Sequence, residues 1–188
     1  MRCFIAIDID EQTRTALRHL QQELAAGADI NKSDVKWVEP DNIHLTLKFL
    51  GEIKDKQMLE VCEITGQVAA GHSGFDIDIE KVGYFGGRTA KVVWVGTGTG
   101  GEKLAELQND LELHLTKAGF AEDNRPFTAH LTLCRVRNPR AGAKLAELLA
   151  AYKDFRLGRL SADSVCVYQS QLTAKGPVYT LLGSYNLQ

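Results

Sequence analysis

The sequence has no excess of positive charge. Its 22 Lys and Arg face 24 Asp and Glu, a formal net charge of −2, so no global field draws in a polyanion. Any anionic ligand must be held by a local cluster of cations. Cysteine is scarce and scattered: Cys3, Cys62, Cys134 and Cys166 form no C-x-x-C pair and have no His at zinc-ligand spacing. That argues against a disulfide framework or a metal site and implies reduced core thiols in a cytosolic protein. Long hydrophobic runs are missing too. None approaches a membrane span, and the apolar stretch Cys3–Ile7 meets acidic residues too soon to be a signal-peptide core. No linker rich in Gly, Pro or Ser divides the 188 residues, and 44% of them are apolar. The expectation is a soluble, cytoplasmic, monomeric protein folded as one compact unit with a real core.

What is present is an order of elements that occurs twice. Cys3–Ile9 alternates as a strand, and Glu11–Ala26 has helical spacing with Leu17, Leu20 and Leu24 on one face. Ile43–Leu50 is a strand ending at Gly51, Lys54–Ala70 a helix, and Phe75–Phe85 a strand. Then Lys91–Val95 reads as a strand, Glu102–Ala118 as a helix stopped by Gly119, and Ala129–Val136 as a strand. After a break at Asn138-Pro-Arg come a helix over Gly142–Tyr152, further strand over Phe155–Gln169 and a closing strand over Pro177–Tyr185. The pattern predicts an α+β fold: a duplicated, two-lobe domain spanning 1–188, with halves of about 1–88 and 89–188. Each lobe is expected to be a mostly antiparallel sheet with outer helices, with a cleft between the lobes.

Within that repeat, His44-Leu-Thr-Leu47 and His130-Leu-Thr-Leu133 are identical and lie 86 residues apart. Only 5 histidines exist in the chain, so two copies at equivalent places are not an accident of composition. Duplication explains the leucines, which a core needs anyway. It explains less well why both histidines persist on strands, where Val or Ile would pack better. On a strand, Leu45 and Leu47 face one way while His44 and Thr46 face the other, about 7 Å apart.

Two such pairs facing one cleft suit phosphodiester hydrolysis. An imidazole with a pKa near ~6.5 can be neutral while its twin is protonated. One takes a proton from the attacking oxygen and the other gives one to the leaving oxygen. Threonine hydroxyls can hold the non-bridging oxygens. No metal, cofactor or protein nucleophile is required. His19 and His114 fall on amphipathic helices and His72 in a turn, all expected to face solvent. Gly96-Thr-Gly-Thr-Gly-Gly101 matches G-x-G-x-x-G, but no strand with a terminal acidic residue follows at dinucleotide-fold distance; a turn opening the next helix is the better reading. Asp8, Asp10, Asp76 and Asp78 alternate on strands and read as solvated faces rather than a metal site.

The blocks Arg2-Cys-Phe-Ile-Ala-Ile7, Asn42-Ile-His-Leu-Thr-Leu-Lys-Phe-Leu-Gly51, Val92-Val-Trp-Val95 and Arg125-Pro-Phe-Thr-Ala-His-Leu-Thr-Leu-Cys-Arg135 together resemble the two-histidine (2H) phosphoesterase superfamily. Closer in, they resemble the bacterial RNA 2′,3′-cyclic phosphodiesterases, also called 2′-5′ RNA ligases. The resemblance implies hydrolysis of 2′,3′-cyclic phosphate ends to 2′-phosphomonoesters, with 2′-5′ joining as a related activity. RNA ends or small cyclic nucleotides are the implied partners, and a non-catalytic RNA-end binding module is the alternative. It also implies that His44 is the acid and His130 the base, a polarity that two identical motifs cannot reveal. Arg135 is implied as a bidentate phosphate ligand, although strict alternation puts it on the leucine face unless the strand ends or bulges near Cys134 or the side chain reaches round the edge. Arg125 and Lys48 are weaker ligand candidates, equally readable as surface charges. Where the family carries Pro before the second histidine, this chain has Ala129, which loosens the entry to the strand.

Overall fold

The computed structural model describes residues 1–174 and 176–188. Its elements are β1 (Arg2–Asp8), α1 (Glu11–Gly27), β2 (Val35–Trp37), β3 (His44–Glu52), α2 (Asp55–Ala69), β4 (Phe75–Phe85), β5 (Val92–Thr97), α3 (Gly101–Lys117), β6 (His130–Val136), α4 (Pro139–Leu149), β7 (Arg156–Ala162), β8 (Ser164–Thr173) and β9 (Gly176–Asn186). The fold is α+β and two-lobed. One sheet has four strands in the order β3-β1-β8-β9, the other five in the order β2-β6-β5-β4-β7, and the paired strands are antiparallel.

The sheets interleave the chain. β1 and β3 come from the first half of the sequence and share a sheet with β8 and β9 from the second, while β2 and β4 join β5, β6 and β7. The helices cross over in the same symmetric way. α1 follows β1 but packs on the five-stranded sheet beside α4, and α3 follows β5 but reaches β3 and α2 on the four-stranded side. Leu17, Leu20 and Leu24 of α1 and Leu104, Leu107, Leu111 and Leu115 of α3 are buried on these inner faces. Each fully buried leucine stabilises the fold by about 1.5–3 kcal/mol.

Local chemistry sets the boundaries. Asp10 caps α1 by accepting from the Thr13 N–H at 2.6 Å. Asn138 caps α4 through the Arg140 N–H at 2.9 Å, with Pro139 at the first helical position. Thus the Asn-Pro expected to mark a break also starts the helix, three residues earlier than expected, and Ala150–Tyr152 closes it as a 3-10 turn. The expected strand over Phe155–Gln169 is two strands, β7 and β8, separated at Asp163 and belonging to different sheets. The glycine run ends β5 and opens α3. Gly100, at φ +86°, lies so close to the Asp76 carbonyl that a Cβ would stand 2.0 Å from it, so the run is packed against β4. Asp76 and Asp78 are engaged there by Ser161 and Arg159.

The four-stranded sheet is strongly coiled. β3 and β9 are its opposite edges, yet the rings of His44 and Tyr179 meet at 5.3 Å, and the Asn42 side chain donates to the Pro177 carbonyl at 3.2 Å. Twist of the usual hand, accumulated over four strands, brings these diagonal corners together. Phe4, buried at the centre, is what they close around.

Candidate active site

Each HLTL segment opens a strand, one in each sheet. In β3, Leu45 and Leu47 are buried in the core while His44 and Thr46 are half-buried on the opposite face. In β6, Leu131 and Leu133 are buried and His130 and Thr132 half-buried. The expected division of labour along the strand therefore holds in both copies. Neither threonine hydroxyl is engaged by another protein group among the described residues.

Both strands also bulge at the same place. Ala6 pairs with Thr46 but Ile5 with Lys48, leaving Leu47 as the extra residue. Trp94 pairs with Thr132 but Val93 with Cys134, leaving Leu133 extra. A bulge resets the alternation. Cys134 is consequently buried beside Leu133, and Arg135 emerges exposed on the His130–Thr132 face. This is the local irregularity that the position of Arg135 required. In the first copy the same slip buries Lys48 and turns Phe49 out, 61% exposed.

Lys48 is accordingly neither a phosphate ligand nor a surface charge. It is 4% exposed, bonded to Glu112 at 2.6 Å and to the Ala121 carbonyl at 2.8 Å. Arg125 is a surface residue, 90% exposed and 3.9 Å from Asp123. His19 and His114 are exposed as expected, whereas His72 is half-buried and paired with Asp110 at 2.8 Å.

The two histidines are held alike. His130 Nδ1 donates to the Thr128 carbonyl at 2.6 Å, spanning Ala129. Because a carbonyl only accepts, the neutral ring carries its proton on Nδ1 and keeps Nε2 as an acceptor. His44 likewise donates to the main chain of Asn42. The rings around them differ. His44 stacks on Phe4 at 4.6 Å and meets Tyr179 edge-on. His130 meets Phe85 edge-on at 5.1 Å, with Trp94 at 6.3 Å. Burial is the largest influence on His44 and lowers its pKa to about 4, opposed by the Asp8 charge and the Asn42 bond.

Tyr179 links the two lobes. Besides touching His44, it lies within electrostatic reach of Arg135 on β6 and Arg2 on β1, whose charges oppose the upward push of burial on its hydroxyl. Four further residues were not singled out from sequence. Phe4 and Tyr179 build the wall behind His44. Gln21, buried on α1, donates to the carbonyls of Val38 at 2.8 Å and Leu133 at 2.9 Å and so clamps the second bulge. Lys36 of β2 is the direct cross-strand partner of Arg135; directly opposed residues share a face, so two cations stand side by side next to His130 and Thr132.

Two antiparallel lobes, each presenting a bulged H-x-T strand, define a two-histidine phosphoesterase architecture. A family model described as LigT like Phosphoesterase matches residues 7–94 and again 95–179, and the chain belongs to this family. It is 34% identical over 188 residues to an RNA 2′,3′-cyclic phosphodiesterase of Methanothermobacter thermautotrophicus, covering 100% of this chain and 99% of the relative. It is 36% identical over 180 residues to one of Archaeoglobus fulgidus, covering 95% and 96%. Among solved structures it resembles E. coli LigT complexed with 3′-AMP, with a TM-score of 0.78 at 25% identity, covering 99% of this chain and 97% of that one.

Proposed function

We propose that the protein hydrolyses RNA 2′,3′-cyclic phosphodiester ends to 2′-phosphomonoesters by paired-histidine acid–base catalysis without a metal. The observation that carries this reading is the matched pair of bulged strands. Each holds a histidine tied to the main chain, through Nδ1 in the second copy, a threonine on the same face and, again in the second copy, Arg135 turned onto that face. The names of the relatives support the substrate class.

In this mechanism His130 Nε2 takes a proton from water as the oxygen attacks phosphorus. The bond to the 3′ oxygen breaks on the opposite side, and His44 protonates that oxygen, leaving a 2′-phosphate and a 3′-hydroxyl. Thr46, Thr132 and Arg135 hold the non-bridging oxygens as charge develops. Burial keeps His44 neutral in the free protein, so its proton is acquired with the substrate, whose anionic phosphate stabilises the imidazolium. A 5′-hydroxyl replacing water would yield a 2′-5′ linkage instead. The adjacent Lys36 and Arg135 favour an RNA end over a small cyclic nucleotide, because they offer charge to more than one phosphate.

We read residues 1–188 as one bilobal domain with a pseudo-repeat near residue 88, a reading supported by the interleaving, since neither half contains a whole sheet. A monomer in a reducing cytoplasm suits the four free cysteines. No helix among the described residues is long and apolar enough to cross a membrane. The decisive experiment is turnover of a nucleoside 2′,3′-cyclic phosphate in EDTA, with the product isomer assigned. Formation of the 2′-phosphate is expected. No turnover, or turnover abolished by the chelator, refutes the mechanism.

A further inference from the structure

The two motifs are identical in sequence, but the strands beside them are not. β1 stands to β3 as β5 stands to β6: both are immediate antiparallel neighbours, and both pairings slip at the bulged leucine. At the position opposite the histidine, the first pair places Asp8 against His44, whereas the second places Gly96 against His130. Gly96 leaves room for the neighbouring indole, since a Cβ there would lie 3.1 Å from the Trp94 ring.

Asp8 is held firmly. The Tyr168 hydroxyl on β8 donates to its Oδ2 at 2.7 Å, and the Cys166 thiol lies 3.6 Å from the same oxygen. The Cys166 thiol is also 3.5 Å from the Ser184 hydroxyl on β9. From this asymmetry, and resting on the hydrolase reading above, we infer that Asp8, braced by Tyr168, is the positioning residue that makes His44 rather than His130 the proton donor.

The two sites hold the same imidazole among different neighbours. A carboxylate beside a histidine favours its protonated form, and a glycine contributes no charge. The titratable groups near the His44 ring are Asp8 on β1 and Tyr179 on β9, with Cys166 and Tyr168 of β8 against Asp8, and Arg2 and Arg135 beyond Tyr179. Burial, followed by the bond to Asp8, pushes the Tyr168 hydroxyl far up, and burial raises Cys166 and Tyr179 as well. The three therefore remain neutral, and Asp8 is the nearby group able to balance an imidazolium. Its charge is the largest influence opposing the burial of His44.

The test is Asp8→Asn, which keeps the size and an oxygen to accept from Tyr168 while removing the charge. The pH profile of kcat/KM for a nucleoside 2′,3′-cyclic phosphate is compared with wild type. Because His44 titrates near about 4 in the free protein, the low-pH limb of kcat/KM reports the acid. It is expected to move down by about one pH unit and the plateau to fall about tenfold, with the high-pH limb fixed. A plateau that falls with both limbs fixed overturns the inference, because a purely structural role would do that. Movement of the high-pH limb overturns it too, because Asp8 would then act on the base. NMR titration of both imidazoles in the same variant gives a readout independent of turnover: His44 should titrate lower and His130 unchanged. An inactive wild type would refute the hydrolase reading, while the NMR comparison would still decide whether Asp8 governs His44.

Discussion

Gln21 and Leu133 are 112 residues apart and joined by a buried hydrogen bond of 2.9 Å from the side-chain amide to the carbonyl. Leu133 is the extra residue of the second bulge, and its carbonyl also accepts from the Val38 N–H at 2.9 Å. The helix thus locks the irregularity that aims Arg135. Gln21→Leu removes the amide; the Leu133 carbonyl keeps the Val38 N–H, but the Val38 carbonyl loses this donor, at a cost of about 1–3 kcal/mol. If the bulge then relaxes toward regular pairing, Arg135 swings off the His130 face. Chemical denaturation should report the stability loss, and KM should rise about tenfold or more with a smaller change in kcat.

The histidines and threonines should separate by magnitude. His44→Ala or His130→Ala removes a proton-transfer group worth about 10²–10⁴-fold. Thr46→Ala or Thr132→Ala removes one donor to the phosphate, and we expect a loss of about 10- to 1000-fold in kcat. All four lie on the cleft face rather than in the main core, so far-UV circular dichroism and melting temperature should stay near wild type. A threonine variant that loses activity only by unfolding would remove that hydroxyl from the mechanism.

His44 also makes stability depend on pH in a definite direction. Its folded pKa, about 4 through burial, lies below the unfolded value of about 6.5. Between those values the unfolded chain binds the proton and the folded chain resists it. The contribution is therefore intact above about pH 6.5 and is lost progressively as pH falls toward 4, by up to about 3 kcal/mol. Urea denaturation of wild type and His44→Gln at pH 7 and pH 4.5 isolates the effect. The wild type should lose more stability than the variant over that interval, and equal losses would show that the imidazole is not desolvated.

Much of this architecture was legible in the sequence because it is local. Leucine spacing gave α1 and α3, and the inward leucines of HLTL fixed which face His44 and His130 occupy. What was hidden depends on pairing between distant segments. β2, only Val35–Trp37, is too short to show a period, so Lys36 could not be placed beside Arg135. β7 and β8 alternate continuously, and nothing local says that the chain changes sheets at Asp163. A period-2 reading shows no bulge by itself: the slip at Leu47, which buried Lys48, left no sign, and the one at Leu133 was suggested only by the role the family resemblance implies for Arg135. Asp8 looked like one of several solvated acids, since its partners Tyr168 and His44 come from strands far along the chain.

Lys48 now becomes a test of interior electrostatics. It joins β3 to α3 and to the segment leading into β6, because Glu112 Oε1 also accepts from the Asp123 N–H at 2.8 Å. Lys48→Met leaves the Glu112 carboxylate half-buried without its cation, a change that costs about 3–5 kcal/mol when a buried pair is broken. Adding Glu112→Gln should restore most of that loss, since the unpaired charge is gone. A double-mutant cycle by denaturant titration measures the coupling; additive losses would show the pair to be solvent-screened.

Lys36 bears on the choice between an RNA end and a small cyclic nucleotide. Like charges directly opposite on neighbouring strands destabilise a sheet, and neither Lys36 nor Arg135 has an acidic partner among the described residues. An anion between or beside the two side chains would relieve that repulsion. If Arg135 holds the reacting phosphate, Lys36 is placed for the next phosphate along a chain, which a mononucleotide lacks. Lys36→Ala should lower kcat/KM about tenfold for a short oligonucleotide ending in a 2′,3′-cyclic phosphate and leave the cyclic mononucleotide nearly unchanged. The dependence of log kcat/KM on log salt for the oligonucleotide should become shallower by about 0.7–1, the signature of one lost phosphate contact. Equal losses on both substrates would instead place Lys36 at the reacting phosphate, and no loss on either would leave the cationic pair without a role in selecting RNA.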